Sequence, residues 1–212
     1  MPGQELQFNL QKSDHFDVGR VLSWKRFRHP VKVEGIMKRV LIGGIGNVLA
    51  GDDGVGPYTV RLLDSRYDFF EGVEVADLGT RGLDLAADLS TTDAVILVDS
   101  VRTGEPAGSV TLYRKEDILR HRPALTGIDA HSLALTESLF LADMVGRAPE
   151  DLLLIGISGQ QFDSGPGLSE PVRKAVDHAI LLVIVELDRL GVQYANKGSP
   201  AQAKAWWEPL RK

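Results

Sequence analysis

The stretch RVLIGGIGNVLAGDDGVGPYTVRLL (residues 39–63) contains, in direct succession, a strand-like run, a glycine-rich loop and a helical pattern. Residues 39–43 predict a buried strand. Residues 53–66 predict an amphipathic helix with Pro57 in its first turn, where the missing N–H costs little. A glycine-rich loop between a strand and a helix commonly cradles a phosphate. This loop carries Asp52 and Asp53 where the phosphate would sit, so its ligand class is the first question.

Neither nucleotide motif fits the loop. The dinucleotide fingerprint G-x-G-x-x-G needs a third glycine for close helix–strand packing, but GIGNVL (residues 44–49) has leucine there. The segment GNVLAGDD (residues 46–53) has the glycine spacing of a P-loop, but two aspartates replace its lysine and hydroxyl residue. Two carboxylates would repel a phosphate, which excludes a nucleotide cradle and leaves a cation site or a helix cap.

The rest of the chain predicts the fold. Further strands are predicted over residues 73–78, 93–100, 109–113 and 151–158, and further helices over 83–89, 132–145 and 170–190. Ser169 is the expected N-cap of the last helix and Gly191 its C-terminal end. Strands that alternate with helices predict an α/β fold. We expect a three-layer α/β/α sandwich with a mostly parallel, roughly five-stranded twisted sheet.

Three segments follow from this pattern. Residues 1–36 show no sustained periodicity, and we expect a poorly ordered N-terminal extension. Residues 37–191 form the single α/β domain, and residues 192–212 form a C-terminal tail.

Composition excludes several functional classes. The net charge of −5 argues against a nucleic-acid partner. No apolar run approaches the ~18 residues that a membrane span needs, and the first residues lack the apolar core of a signal peptide, so we expect a cytoplasmic protein. The sequence has no cysteine, which excludes disulfides, thiolate metal sites and a cysteine nucleophile. Any metal ligands must be His, Asp or Glu.

Three features predict side chains that meet at one edge of the sheet. Asp52 or Asp53 follows the first strand, Asp99 ends the apolar strand VILVDS, and His131 directly precedes an apolar helix. Each has an ordinary alternative when taken alone: a helix cap, a loop cap or a surface residue. Functional groups in α/β sheets collect at the carboxyl ends of strands. Two carboxylates and one imidazole there would form an open divalent-cation site.

An ordered set of motifs resembles the hydrogenase maturation protease family, the endopeptidases that trim the large subunit of [NiFe] hydrogenases. The resemblance covers residues 39–191, and its motifs are GIGNVLAGDDGVG (44–56), DLGTRGLDL (77–85), VILVDS (95–100), GIDAHSLAL (127–135) and GPGLSEPV (165–172). The family's DGGT motif departs from its pattern here, because DLGT (77–80) lacks one glycine.

The resemblance implies both the reaction and its residues. Asp53, Asp99 and His131 fall on the family's metal ligands and are the implied catalytic residues. The implied substrate is a [NiFe] hydrogenase large-subunit precursor already loaded with nickel, so the substrate supplies the metal. Metal-linked hydrolysis then removes the C-terminal extension of the precursor. We expect the enzyme to be a monomer with no nucleic-acid or membrane partner.

Four further residues are candidates for a peptide groove: Gly46, Asn47, Gly79 and Thr80. The alternative that they are simple turn residues stays open. Two other functions also stay open. One is a metal-dependent peptidase or amidase of the same fold that acts on another substrate. The other is a non-enzymatic nickel carrier or chaperone, which would bind the precursor without shortening it.

Overall fold

The structure is a computed structural model that describes residues 38–80, 84–120, 130–162 and 165–198, with residues 130–133 described by their backbone alone. The predicted extension over residues 1–36 and the part of the predicted tail beyond residue 198 lie outside the described residues.

Seven strands and five helices make up the described chain. In chain order they are β1 (Val40–Ile45), α1 (Val55–Arg66), β2 (Tyr67–Phe69), β3 (Val73–Gly79), α2 (Leu85–Leu89), β4 (Ala94–Val101), β5 (Val110–Arg114), α3 (Lys115–Arg120), α4 (Ala130–Met144), β6 (Asp151–Ser158), α5 (Glu170–Leu190) and β7 (Tyr194–Asn196). A single 3-10 turn, Gly51–Gly54, precedes α1.

The main sheet has five strands in the order β3-β1-β4-β6-β5. Its first four members run parallel, and β5 pairs antiparallel with β6 at one edge. Every residue of β1 and β4 is buried, as expected for parallel strands that are covered on both faces. The predicted five-stranded, mostly parallel sheet is confirmed.

Helices cover the two faces of this sheet. Successive residues of a strand point to opposite faces, so Leu41 and Ile42 belong to different cores. Ile42 packs in a cluster with buried residues of α1 and α5. Leu41 packs in a second cluster with buried residues of α2, α3 and α4. The two clusters, one on each face of the sheet, give the predicted three layers.

The order of the sheet reverses between β1 and β4. The chain leaves β1 through α1 to reach β3 on one side of it, and then passes through α2, on the opposite face, to reach β4 on the other side. The last register pair of β1 and β4 is Gly44 with Val98. In open α/β sheets, ligands bind in the crevice at such a switch point. The loop after β1 and the end of β4 meet there.

Three elements of the structure differ from the sequence-based expectation. Helix α3 forms in a stretch where the sequence predicts neither helix nor strand, and β2 pairs antiparallel with β7, which lies within the predicted tail. The rings of Tyr67 and Tyr194 meet edge to face across this pair, 5.7 Å apart. Each of the two strands has three residues, too few to show a periodicity in the sequence.

The ends of α5 were predicted at the correct residues. Gly191 follows the helix in the left-handed conformation, with φ 71°. Ser169 occupies the N-cap position, but its hydroxyl donates to Asp52 rather than capping its own helix. Among the helices that the structure describes, none is long and apolar enough to cross a membrane.

Candidate active site at the carboxyl edge of the sheet

The glycines of the β1–α1 loop allow backbone segments to approach closely. Gly46 has φ 133°, and a Cβ atom on it would lie 1.8 Å from the carbonyl oxygen of Asp53. A Cβ on Gly44 would lie 2.4 Å from the carbonyl oxygen of Gly56. These contacts fold the loop back over the end of β1 and bring Asp53 to the switch point.

Two hydrogen bonds orient the Asp53 carboxylate. Its Oδ2 accepts the backbone N–H of Asn47 at 2.9 Å, and its Oδ1 accepts the hydroxyl of Ser100 at 3.0 Å. The residue is only 7% exposed. Both carboxylate oxygens are therefore held in a fixed orientation at the end of the sheet.

Ser100 also contacts the second predicted carboxylate. Its backbone N–H donates to Oδ1 of Asp99 at 2.7 Å, while its hydroxyl donates to Asp53. Ser100 is fully buried and Asp99 is nearly so. The structure thus places the Asp53 carboxylate against the end of β4, at the residue that directly follows Asp99.

The third predicted ligand, His131, is placed only by its backbone. It lies in the first turn of α4, and its side chain lies outside the described residues. Within the described part of the chain, no group of three or more His, Asp or Glu side chains could hold a metal ion. The described site therefore offers two carboxylates, and the part played by His131 stays a prediction.

Asp52 and Asp53 have different environments, although the sequence left them as alternatives. The Asp52 carboxylate is fully buried and accepts hydrogen bonds from the segment between β6 and α5, including the N–H of Ser169 at 2.7 Å. The N-cap of α1 is Gly54, and among the residues described around it no side chain caps the helix. Asp53 is therefore the carboxylate that bonds the Ser100 hydroxyl, next to Asp99 in β4.

The four predicted groove residues lie on two adjoining loops. The N–H of Gly46 donates to the carbonyl oxygen of Gly79 at 2.9 Å, which joins the β1–α1 loop to the end of β3. Asn47 and Thr80 are exposed. The side chain of Asn47 accepts the N–H of Leu49 at 3.0 Å and so shapes its own turn. The structure brings Gly46 and Gly79 together, and the contact with a peptide stays a prediction.

A pocket of about 410 Å³, including space open to solvent, lies beside Asp99. Its wall is mostly apolar, with Val101, Ile118, Leu135 and Leu154, and it also contains Tyr113, Asp117 and Thr136. The sequence did not identify this pocket, because its wall comes from strands β4, β5 and β6 and helices α3 and α4. The sequence also missed Ser100; its only signal was a hydroxyl residue directly after Asp99 at a strand end.

Comparisons with known proteins assign the chain to a family. A family model described as hydrogenase maturation protease (HycI) matches residues 57–186. The hydrogenase expression/formation protein HoxM of Azotobacter vinelandii is 34% identical over 167 residues, which cover 78% of this chain and 80% of that protein. The hydrogenase 2 maturation protease of Escherichia coli K12 is 30% identical over 158 residues, which cover 73% of this chain and 94% of that protein.

Solved structures agree with the sequence matches. The hydrogenase maturating endopeptidase HybD from E. coli superposes with a TM-score of 0.69 at 30% identity, covering 75% of this chain and 98% of HybD. The [NiFe] hydrogenase maturation protease HybD from Thermococcus kodakarensis gives a TM-score of 0.56 at 27% identity, covering 70% and 98%. The present chain belongs to the hydrogenase maturation protease family.

Proposed function

We propose that this protein is an endopeptidase that removes the C-terminal extension of a nickel-loaded [NiFe] hydrogenase large-subunit precursor. Membership of the family supports the reaction class. The observation that carries the proposal is the hydrogen bond from the Ser100 hydroxyl to Asp53, which places this carboxylate beside the end of β4, next to Asp99, at the switch point of the sheet. A carboxylate offers about four lone-pair sites on its two oxygens, so it can accept hydrogen bonds and contact a metal at the same time.

The rigidity of this pair supports a binding role. Asn47 and Ser100 fix the orientation of the Asp53 carboxylate before any ligand arrives. Groups held in a productive geometry lose little freedom when the substrate binds. Asp53 and Asp99 would therefore contact the nickel that the precursor carries, and recognise a precursor that is ready for processing.

The position of residue 131 supports a third contact. It lies four residues before Leu135, one turn earlier in α4, and residues at this spacing share a helix face. Leu135 lines the pocket beside Asp99. Imidazole and carboxylate ligands both suit divalent nickel. His131 is therefore the proposed nitrogen ligand.

The proposed chemistry is hydrolysis next to the metal. The nickel of the substrate polarises the scissile carbonyl or a bound water, and water adds across the peptide bond to give a new carboxylate and a new amine. Asp53, Asp99 and His131 hold the metal-bearing end of the precursor in place. The loop carrying Gly46 and Asn47 and the turn carrying Gly79 and Thr80 would flank the peptide.

Mass spectrometry of the large-subunit precursor tests the proposal. Nickel-loaded and nickel-free precursor are incubated separately with the protein, and the masses of the products are compared. We expect shortening of the nickel-loaded precursor alone. Efficient cleavage of the nickel-free precursor would favour a general peptidase. Binding without any shortening would favour a chaperone.

A further inference from the structure

Asp52 is a buried carboxylate next to the candidate site that the proposed chemistry does not use. We infer that Asp52 is a positioning residue, which fixes Asp53 by tying the 3-10 turn Gly51–Gly54 to the loop between β6 and α5. The inference rests on the proposed function of Asp53.

The carboxylate of Asp52 accepts four hydrogen bonds. Oδ1 accepts the N–H of Ser169 at 2.7 Å. Oδ2 accepts the N–H groups of Gln160 and Gln161 at 2.9 and 3.0 Å and the hydroxyl of Ser169 at 3.0 Å. Both oxygens of this buried carboxylate are bonded to groups of the protein, so Asp52 is satisfied as an anchor.

Backbone hydrogen bonds reinforce this anchor. The N–H of Asp52 donates to the carbonyl oxygen of Gln161 at 2.6 Å, and the N–H of Gly51 donates to that of Gly165 at 2.8 Å. The turn and the β6–α5 loop are therefore joined by the Asp52 side chain and by two backbone bonds. The loop cannot shift without moving the turn.

Packing behind Asp52 extends the anchor to the strand that carries Asp99. A Cβ atom on Gly159 would lie 3.1 Å from Cβ of Asp52 and 2.7 Å from the ring of Phe162, so the loop packs closely on the Asp52 side chain. The guanidinium of Arg102, three residues after Asp99, lies 3.8 Å from the centroid of the Phe162 ring. Asp52 therefore lies inside a packed unit that also contacts the end of β4.

Asp53 follows Asp52 in the same short turn, so a displacement of one moves the other. The carboxylate of Asp53 meets its donors, the Asn47 N–H and the Ser100 hydroxyl, at 2.9 and 3.0 Å. Hydrogen bonds weaken steeply as distance and angle depart from these values. A shift of the turn by an ångström would therefore misplace the Asp53 oxygens relative to Asp99.

Asp52→Asn tests the inference. Asparagine keeps the shape, but its amide nitrogen must face an N–H donor and repel it. We expect the backbone amide signals of Asn47 and Ser100 to shift in nuclear magnetic resonance spectra. We also expect the affinity of the isolated protein for Ni²⁺, followed by broadening of those signals, to fall about 10- to 100-fold, the usual effect of losing a group that orients a ligand.

Glu186→Gln is the matched control. Glu186 is also a buried carboxylate, and it accepts hydrogen bonds from Arg114 and Arg189. It lies far from the candidate site, because its partner Arg114 pairs with Leu153 near the start of β6, at the other end of the strands. This variant should lose stability and leave the Asn47 signal and Ni²⁺ affinity unchanged. If Asp52→Asn does not fold, Ser169→Ala takes its place, since it removes one donor and keeps the backbone N–H.

The inference is overturned if the folded Asp52→Asn or Ser169→Ala protein keeps the wild-type signals and Ni²⁺ affinity, or if Glu186→Gln changes them equally. Failure of the proposed function gives a different pattern. In that case Asp53→Asn would still shorten the precursor, while the Asn47 signal of Asp52→Asn would continue to report whether Asp52 positions its neighbour.

Discussion

Ser100 donates a hydrogen bond to each of the two carboxylates at the end of β4, Asp53 and Asp99. Like charges near each other are unfavourable unless donors or cations face them. Ser100 supplies one donor to each, its N–H to Asp99 and its hydroxyl to Asp53. In the proposed reaction the nickel of the precursor would complete this neutralisation.

Ser100→Ala should weaken the site and leave the fold intact. The change removes the hydroxyl donor to Asp53 and keeps the N–H donor to Asp99. We expect a loss of about 1 kcal/mol in the free energy of unfolding and about tenfold slower shortening of the precursor. Ser65→Ala is the control, because its hydroxyl bonds a carbonyl within α1, away from the site. Wild-type cleavage by Ser100→Ala would contradict the proposed positioning of Asp53.

Asp53→Asn should abolish most of the activity. The amide keeps the size of the side chain but loses its charge, so contact with a divalent metal weakens. We expect cleavage of the nickel-loaded precursor to fall by about 100-fold or more, and His131→Ala should have the same effect with the fold intact. Asp68→Asn is the control, since Asp68 is an exposed residue of β2. Unchanged cleavage by Asp53→Asn would remove Asp53 from the mechanism.

At the scale of elements, the β1–α1 loop is glycine-rich because its backbone packs on itself. Gly46 lies against Asp53, and Gly56 lies where a Cβ atom would meet the carbonyl oxygens of Ile45 and Val98 at 2.2 and 2.3 Å. In a nucleotide-binding loop, glycine leaves room for a phosphate. In the β1–α1 loop, glycine leaves room for another segment of backbone. This is why the spacing of glycines alone did not identify the ligand.

Gly46→Ala should damage both stability and activity. A Cβ atom would meet the carbonyl oxygen of Asp53 at 1.8 Å, and the φ of 133° strains any other residue. We expect a loss of about 3 kcal/mol or more in the free energy of unfolding, together with slower cleavage. The control is Gly191→Ala at the end of α5, with φ 71° and nothing near its Cβ. It should cost about 1 kcal/mol and leave cleavage unchanged.

The sequence predicted the elements whose signal is local. Strand β6 (Asp151–Ser158) was predicted with the bounds that the structure shows, because the residues between its polar ends, LLLIGI, form a continuous apolar run. Helix α3 has six residues, too few for a clear helical period. The separate roles of Asp52 and Asp53 could not be predicted, because the partners of Asp52 lie 108 to 117 residues further along the chain. Such contacts exist only after the sheet has formed.

At the scale of the whole molecule, the edge of the sheet opposite the candidate site carries an ion-pair network. Glu186 of α5 is paired with Arg114 of β5 and with Arg189, which also reaches Asp151 at the start of β6. These ion pairs join strand β5, its neighbour β6 and helix α5. We expect this network to contribute to the acid dependence of stability.

The pH dependence follows from the pKa of Glu186. Burial raises the pKa of this carboxyl, but hydrogen bonds and charges from Arg114 and Arg189 outweigh it, so the pKa lies below its ordinary value. A lowered folded-state pKa stabilises the protein above the unfolded pKa of about 4.3, and this stabilisation is lost as pH falls through the folded value. The unfolding temperatures of the wild type and of Glu186→Gln should differ most near neutral pH, and this difference should shrink as the pH falls below about 4. A constant difference across this range would contradict the assignment.

The last prediction concerns which parts of the chain the fold and the reaction need. The five-stranded sheet, both core clusters and the Asp53–Ser100–Asp99 group are all formed by residues of the range 38–198. The family match covers residues 57–186. We therefore expect a chain that begins at Met37 to fold, to unfold at the wild-type temperature and to shorten the nickel-loaded precursor at the wild-type rate.

A chain that ends at Gly191 is the contrasting variant, because it lacks β7 and the hydrogen bond from the Tyr194 hydroxyl to Asp188. Its unfolding temperature should fall, while Asp53 and Asp99 stay in place. Thermal unfolding and mass detection of the shortened precursor measure both effects. An insoluble chain from Met37, or a folded but inactive one, would show that residues 1–36 support the fold or contact the precursor.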